Sequence, residues 1–308
     1  MSDNGAPDAG RSVFVAARDG LRLHVRQYGL TTASAAIAVI CLPGLARTTA
    51  DFASLAPALA CGKPERRVIA IDSRGRGQSD YDPNPQNYNL AVELADVVTV
   101  LSALNISRAV FVGSSRGGIL TMLLAAANPS AMAGAVLHDI GPLIEPKGVV
   151  RIKSYVGKLP QPKSFTEGAD ILRHLFAAQF PKLTPEQWLG AAQRTWKTKH
   201  GALVPTYDVQ LASTLADVDF EHPPPPLWNE FDALAQVPVL VIRGANSDIL
   251  SEATVNAMRA RHPNLEYVEV ADQGHVPLLE GKIVPLIINF VASCDVQDAR
   301  IGPSPQQS

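Results

Sequence analysis

The segment Gly113-Ser114-Ser115-Arg116-Gly117 carries a serine between two glycines in the pattern G-x-S-x-G. It follows the apolar run RAVFV and precedes the helix-like run ILTMLLAAA. A sharp strand-to-helix turn at this point would lift one serine clear of the backbone, and the glycines would leave room where the chain is crowded. The register selects Ser115 over Ser114, because position 112, where the second reading needs glycine, is Val112.

A serine hydroxyl is a poor nucleophile near neutral pH. It needs a base, and the base needs an acid that fixes its tautomer. His275 follows the run LEYVEV, and Asp248 follows VPVLVIRG. Both should therefore sit in loops at the sheet edge that carries Ser115. Two other acids compete with Asp248: Asp139, which ends the run VLHD, and Asp272, three residues before His275. The sequence favours Asp248, from the strand-end loop expected between serine and histidine in the order Ser, acid, His. No pair among His24, His138, His174, His200, His222 and His262 has metal-ligand spacing. Each is read as structural, and no metal or organic cofactor is expected. Attack on a carbonyl would also require two N–H donors for the oxyanion. One is the backbone amide of Arg116; the other is assigned to Leu45, in the loop after AIAVICL.

These groups need a framework to hold them. VFVAARDGLRLHVRQYG reads as a hairpin turning at Asp19-Gly20. AIAVICL, RVIAID, RAVFVG, AGAVLHD, VPVLVIRG and LEYVEV read as strands, and several are apolar throughout, as strands buried on both faces are. Between them lie helix-like stretches, among them residues 90–104, ILTMLLAAA, EATVNAMRARH and KIVPLIINFVASC. The alternation predicts a mostly parallel sheet covered by helices on both faces. Residues 142–232 break the rhythm. They hold helix-like segments, three tryptophans and the run Pro223 to Pro226, but no convincing buried strand. The expected organisation is an α/β core from 13–141 and 233–295, a helical insertion over 142–232, a flexible start over 1–12 and a flexible tail over 296–308.

Composition narrows the function classes. The 308 residues are 46% apolar with a net charge of −2, and no run of Lys or Arg suits a phosphate backbone. Nucleic acid is not an expected partner. Cys41, Cys61 and Cys294 show no disulfide or metal spacing, the first twelve residues lack a signal-peptide pattern, and no apolar run is long enough for a membrane helix. A soluble cytoplasmic protein acting on a small molecule is expected, with the oligomeric state left open.

The whole pattern resembles the α/β-hydrolase superfamily, in its serine esterase-like branch with a helical cap. Besides the elbow, IDSRGRGQSD is similar to the family's D-x-R-G-x-G-x-S segment, HDIGP to its entry to the cap, and RGANSDILS and GHVPLL to its acid and histidine segments. The resemblance spans residue 13 to about residue 294 apart from the insertion. One departure is Pro43-Gly44, where family members commonly have His-Gly. A serine at the elbow argues against haloalkane dehalogenases and epoxide hydrolases, which use aspartate there. The resemblance implies cleavage of carboxylic esters, with lactones and oligomeric esters as variants. A carbon–carbon bond hydrolase of vinylogous diketone acids and a non-catalytic ligand-binding protein are the alternatives. It also implies that the insertion roofs the pocket. Trp188, Trp196 and Tyr155 would then line an apolar cleft or pack the cap's own core, and Arg47 and Arg116 would hold a substrate carboxylate or stay structural.

Overall fold

Apolar runs that alternate their contacts between two faces build the centre of the protein, whose computed structural model describes residues 10–29, 36–216 and 225–301. β1 (Arg11–Ala16) and β2 (Arg22–Gly29) form the antiparallel hairpin, with Val13 opposite Val25. Gly20, at φ +86°, supplies the left-handed residue of its turn. β3 (Ala38–Leu42), β4 (Arg67–Ile71), β5 (Ala109–Ser114) and β6 (Met132–His138) follow, with α1 (Leu55–Ala60), α2 (Leu90–Ala103) and α3 (Arg116–Ala127) between them. β1 begins at Arg11, inside the start expected to be flexible; residues 1–9 lie outside the described residues.

The next segment leaves the sheet. It contains α4 (Pro146–Tyr155), α5 (Phe165–Phe176) and α6 (Pro185–Thr195), then a small hairpin of β7 (Trp196–Lys199) and β8 (Ala202–Pro205). Sequence reading found no strand here, and the reason is physical. Each strand is four residues long and largely exposed or half-buried, so neither imposes an apolar pattern. Part of the proline run, with His222, lies among residues 217–224, outside the described residues.

The chain re-enters the sheet through α7 (Trp228–Asp232), β9 (Val239–Gly244), α8 (Glu252–Arg261), β10 (Leu265–Val270) and α9 (Ile283–Ile301). α9 runs past residue 296, where a flexible tail was expected; residues 302–308 lie outside the described residues. The eight sheet strands run in the order β1-β2-β4-β3-β5-β6-β9-β10. Only the β1–β2 and β2–β4 pairs are antiparallel.

Side-chain alternation divides the core. Ile40, Phe111 and Leu137 pack on one face with Val97 of α2 and Leu120 of α3. Their neighbours Val39, Val110, Val112 and Val136 pack on the other with Leu55 of α1 and Ile287 of α9. The inner strands are therefore buried on both sides, and their carboxyl ends form one rigid edge. Among the described residues no helix is long and apolar enough to cross a membrane.

Candidate active site

Ser115 sits where β5 turns into α3, at φ +51°. A non-glycine residue there is strained, and it is held by what surrounds it. A Cβ on Gly113 would come within 2.5 Å of the Gly117 carbonyl oxygen, and one on Gly117 within 2.0 Å of the Leu42 carbonyl oxygen. Only glycine fits at either position. The Ser115 amide donates to the carbonyl of His138 at 3.0 Å, which fastens the turn to β6.

From the elbow a line of hydrogen bonds runs inward. Ser115 Oγ lies 2.8 Å from Nε2 of His275, and Nδ1 of His275 lies 2.7 Å from Oδ2 of Asp139. Asp139 is fully buried and also accepts from the Gly244 amide at 2.8 Å and the Ser247 hydroxyl at 2.7 Å. With a carboxylate on Nδ1, that nitrogen carries the proton and Nε2 is left to accept from serine.

Asp248 does not take the place expected of it. Arg151, on α4, donates to both of its carboxylate oxygens, at 2.6 and 2.8 Å. Burial alone would raise the pKa of Asp248, but Arg151 outweighs this and holds the carboxyl below its usual range. Asp272 is excluded in a similar way, half-exposed and 2.8 Å from Lys182. β6 and β9 are parallel neighbours, so both offer a strand-end acid near His275. The β9 loop contributes Ser247 and the Gly244 amide, and these aim the carboxylate of Asp139.

A second serine–histidine pair lies beside the first. Ser114 and His138 face each other in the β5–β6 register, and Ser114 Oγ is 2.8 Å from His138 Nδ1. Burial pushes the His138 pKa down to about 4, so this imidazole is neutral near pH 7. No carboxylate hydrogen-bonds its other nitrogen. The pair therefore lacks the acid that would make its histidine a strong base.

Both pairs open onto a cavity of about 190 Å³. The core contributes Gly44, Leu45, Ser115 and His275 to its wall; the inserted segment contributes Tyr155, Phe176, Phe180 and Trp188. Trp196 is absent from this wall. It is 1% exposed and packs against Gly168 within the insertion, where a Cβ on that glycine would stand 3.1 Å from the indole ring. Arg47 lines the cavity, yet it donates to Asp51 and to Thr195 Oγ1.

Residues 37–282 match the family model described as alpha/beta hydrolase fold. The chain belongs to this family. It is 37% identical over 254 residues to the 3-hydroxybutyrate-oligomer hydrolase of Cupriavidus necator, a match that covers 78% of this chain and 82% of that one. A crystal structure of an alpha/beta hydrolase from Novosphingobium aromaticivorans superposes with a TM-score of 0.84 at 38% identity, over 92% of this chain and 98% of the other. A shorter match, 34% identical over 39% of this chain and 20% of the other, is to bifunctional epoxide hydrolase 2 of Sus scrofa.

In this hydrolase the two loops expected to face an oxyanion share one buried anchor. The amide of Arg47 donates to the Gly44 carbonyl at 3.2 Å, closing a turn with Leu45 at its centre. A Cβ on Gly44 would stand 3.6 Å from that of Ser115, so this turn lies directly against the elbow. Arg76 donates to the Leu45 carbonyl at 2.7 Å and forms an ion pair at 2.8 Å with Glu93. The other oxygen of Glu93 accepts from Nε of Arg116 at 2.7 Å. The Arg116 side chain is thus turned into this network and does not line the cavity, which is the structural one of the two roles open to it.

Burial would raise the pKa of Glu93, but Arg76 and Arg116 outweigh it and hold it below the usual glutamate value. Neither the sequence separation nor the charges pointed to this triad; only the fold brings α2 beneath both loops. Glu93→Ala leaves the buried guanidinium of Arg76 and the half-buried one of Arg116 without their shared partner and should destabilise the protein by about 3–5 kcal/mol. In variants still folded at the assay temperature, kcat should fall about tenfold or more with a smaller change in KM, because the amides would be misplaced for a charge that develops during reaction. Thermal unfolding and steady-state kinetics check this together. An unchanged melting temperature and kcat would show that the loops hold themselves.

Proposed function

We propose that this protein hydrolyses carboxylic esters through an acyl-enzyme on Ser115. The observation that carries this reading is the continuous line Ser115–His275–Asp139, opening beside the Gly44–Leu45 turn into a largely apolar cavity. Ser115 Oγ attacks the ester carbonyl while Nε2 of His275 takes its proton. Asp139 stabilises the resulting imidazolium, and the amides of Leu45 and Arg116 hold the oxyanion. The tetrahedral intermediate collapses, and His275 returns the proton to the departing alcohol. Water, losing a proton to His275, then attacks the acyl group and regenerates the serine.

The Cupriavidus relative is named for 3-hydroxybutyrate oligomers. Short hydroxy-acid oligoesters are accordingly the substrate class proposed for this chain. Residues 142–232 act as a cap that excludes water and selects the acyl or alcohol group. The serine elbow supports acyl chemistry over the epoxide opening named for the Sus scrofa relative.

A panel of 4-nitrophenyl esters of increasing chain length tests the reading. The protein should release 4-nitrophenol from the short members. Trp188→Ala should change the ranking of chain lengths, by about 1–3 kcal/mol for each methylene-sized space gained. Both tryptophans belong to the insertion's own core, but Trp196 is unsuitable for this test because it does not reach the cavity wall. No turnover of any ester, by a protein shown to be folded, would overturn the proposal.

A further inference from the structure

Three arginines line the cavity beside Ser115 and His275: Arg47, Arg151 and Arg194. Two of them are held by close hydrogen bonds to a carboxylate. Arg47 donates to Asp51 and Thr195, and Arg151 makes a two-pronged pair with Asp248. Arg194, in the last turn of α6, differs. Its guanidinium forms no hydrogen bond among the described residues, and its carboxylate neighbours are Asp51 at 3.4 Å and Glu280 at 3.7 Å. A guanidinium carries five N–H donors in a fixed fork, so Arg194 keeps donors available to a planar acceptor such as a carboxylate.

The surroundings sharpen the contrast. The Arg194 side chain is only 21% exposed and shares the wall with Leu183, Trp188 and Ala191. Burial and the neighbouring charge of Arg47 lower its pKa, and Asp51 and Glu280 do not restore what is lost. For Arg47 burial acts the same way, but the close carboxylate of Asp51 more than compensates. Arg194 is therefore a cation placed in an apolar cavity without its full set of acceptors. Glu280 comes from the loop after His275 and is 35% exposed, so it can turn to solvent when another carboxylate takes its place.

We propose that Arg194 binds a free carboxylate of the substrate, so that the enzyme selects hydroxy-acid esters whose acid end is uncapped. This rests on the ester-hydrolase reading and narrows it. Glu280 is then the counter-ion of Arg194 in the free enzyme and gives way when the substrate carboxylate arrives. The two residues should act in opposite directions on selectivity.

The test compares kcat/KM for the linear dimer of a short 3-hydroxy acid, offered as the free acid and as the primary amide. 4-Nitrophenyl butyrate serves as a neutral control. The wild-type protein should prefer the acid over the amide by at least about tenfold, as charge-assisted forked bonding allows. Arg194→Gln should remove most of that preference, and Glu280→Gln should increase it. Equal rates on acid and amide in the wild type would overturn the proposal. So would an Arg194→Gln enzyme that keeps its preference. Should Arg194→Gln not fold, Glu280→Gln still decides, because a preference that fails to rise contradicts the displacement of Glu280. If 4-nitrophenyl butyrate is cleaved and neither dimer is, this narrowing is wrong while the ester chemistry stands. If nothing is cleaved, the ester reading itself falls, and this inference with it.

Discussion

Asp139→Asn should lower kcat by about 10⁴-fold, whereas Asp248→Asn should lower it by less than about tenfold. The asymmetry follows from what each carboxylate holds. Asp139 is the hydrogen-bond partner of His275 Nδ1, and its own orientation is fixed by the Gly244 amide and the Ser247 hydroxyl. An amide in its place can present N–H₂ to the imidazole, favouring the tautomer in which Nε2 carries the proton and cannot accept from Ser115. Asp248 instead neutralises Arg151 across the boundary between the β9 loop and α4. Its loss should loosen that part of the cavity wall and appear mainly in KM. Saturation kinetics with one activated ester, on variants of confirmed fold, separates the two outcomes. A larger kcat loss for Asp248→Asn would return the acid to the later strand.

The second large effect is expected at the elbow. Ser115→Ala should reduce kcat by about 10⁶-fold, leaving only the residual rate that binding and the amide donors support. Ser114→Ala should cost stability and little chemistry. Its hydroxyl pairs with buried His138, and leaving that nitrogen unsatisfied costs about 1–3 kcal/mol. The neighbouring serines thus separate a reacting group from a packing group within one dipeptide.

How much of this was legible depended on what kind of force set each feature. The inner sheet strands β3, β4, β5, β6 and β9 announce themselves because burial on both faces demands apolar runs. Ser115 was legible because crowding at the elbow admits glycine alone at 113 and 117, which leaves one register. His275 followed from its place after a strand.

The acid was less accessible, because two adjacent parallel strands each end near an aspartate. What decides between them is a pair of contacts from distant parts of the chain: Ser247 on Asp139, and Arg151 on Asp248. The positive φ of Asp139, at +54°, belongs to the structure and leaves no mark on composition. The tryptophans show the same limit. Trp188 and Trp196 lie eight positions apart and share one buried cluster, yet only Trp188 reaches the cavity wall, while Trp196 packs against Gly168. For the arginines, charge was visible and engagement was not. Only the tertiary contacts distinguish Arg47 and Arg116, which hydrogen-bond to acids at close range, from Arg194, whose carboxylate neighbours stand at 3.4 and 3.7 Å.

The central claim is that Ser115 forms the covalent intermediate. Peptide mass spectrometry after treatment with a fluorophosphonate tests it most directly. The account predicts one adduct, on Ser115, abolished in Ser115→Ala and retained in Ser114→Ala. An adduct on Ser114, or labelling that survives in Ser115→Ala, would contradict it.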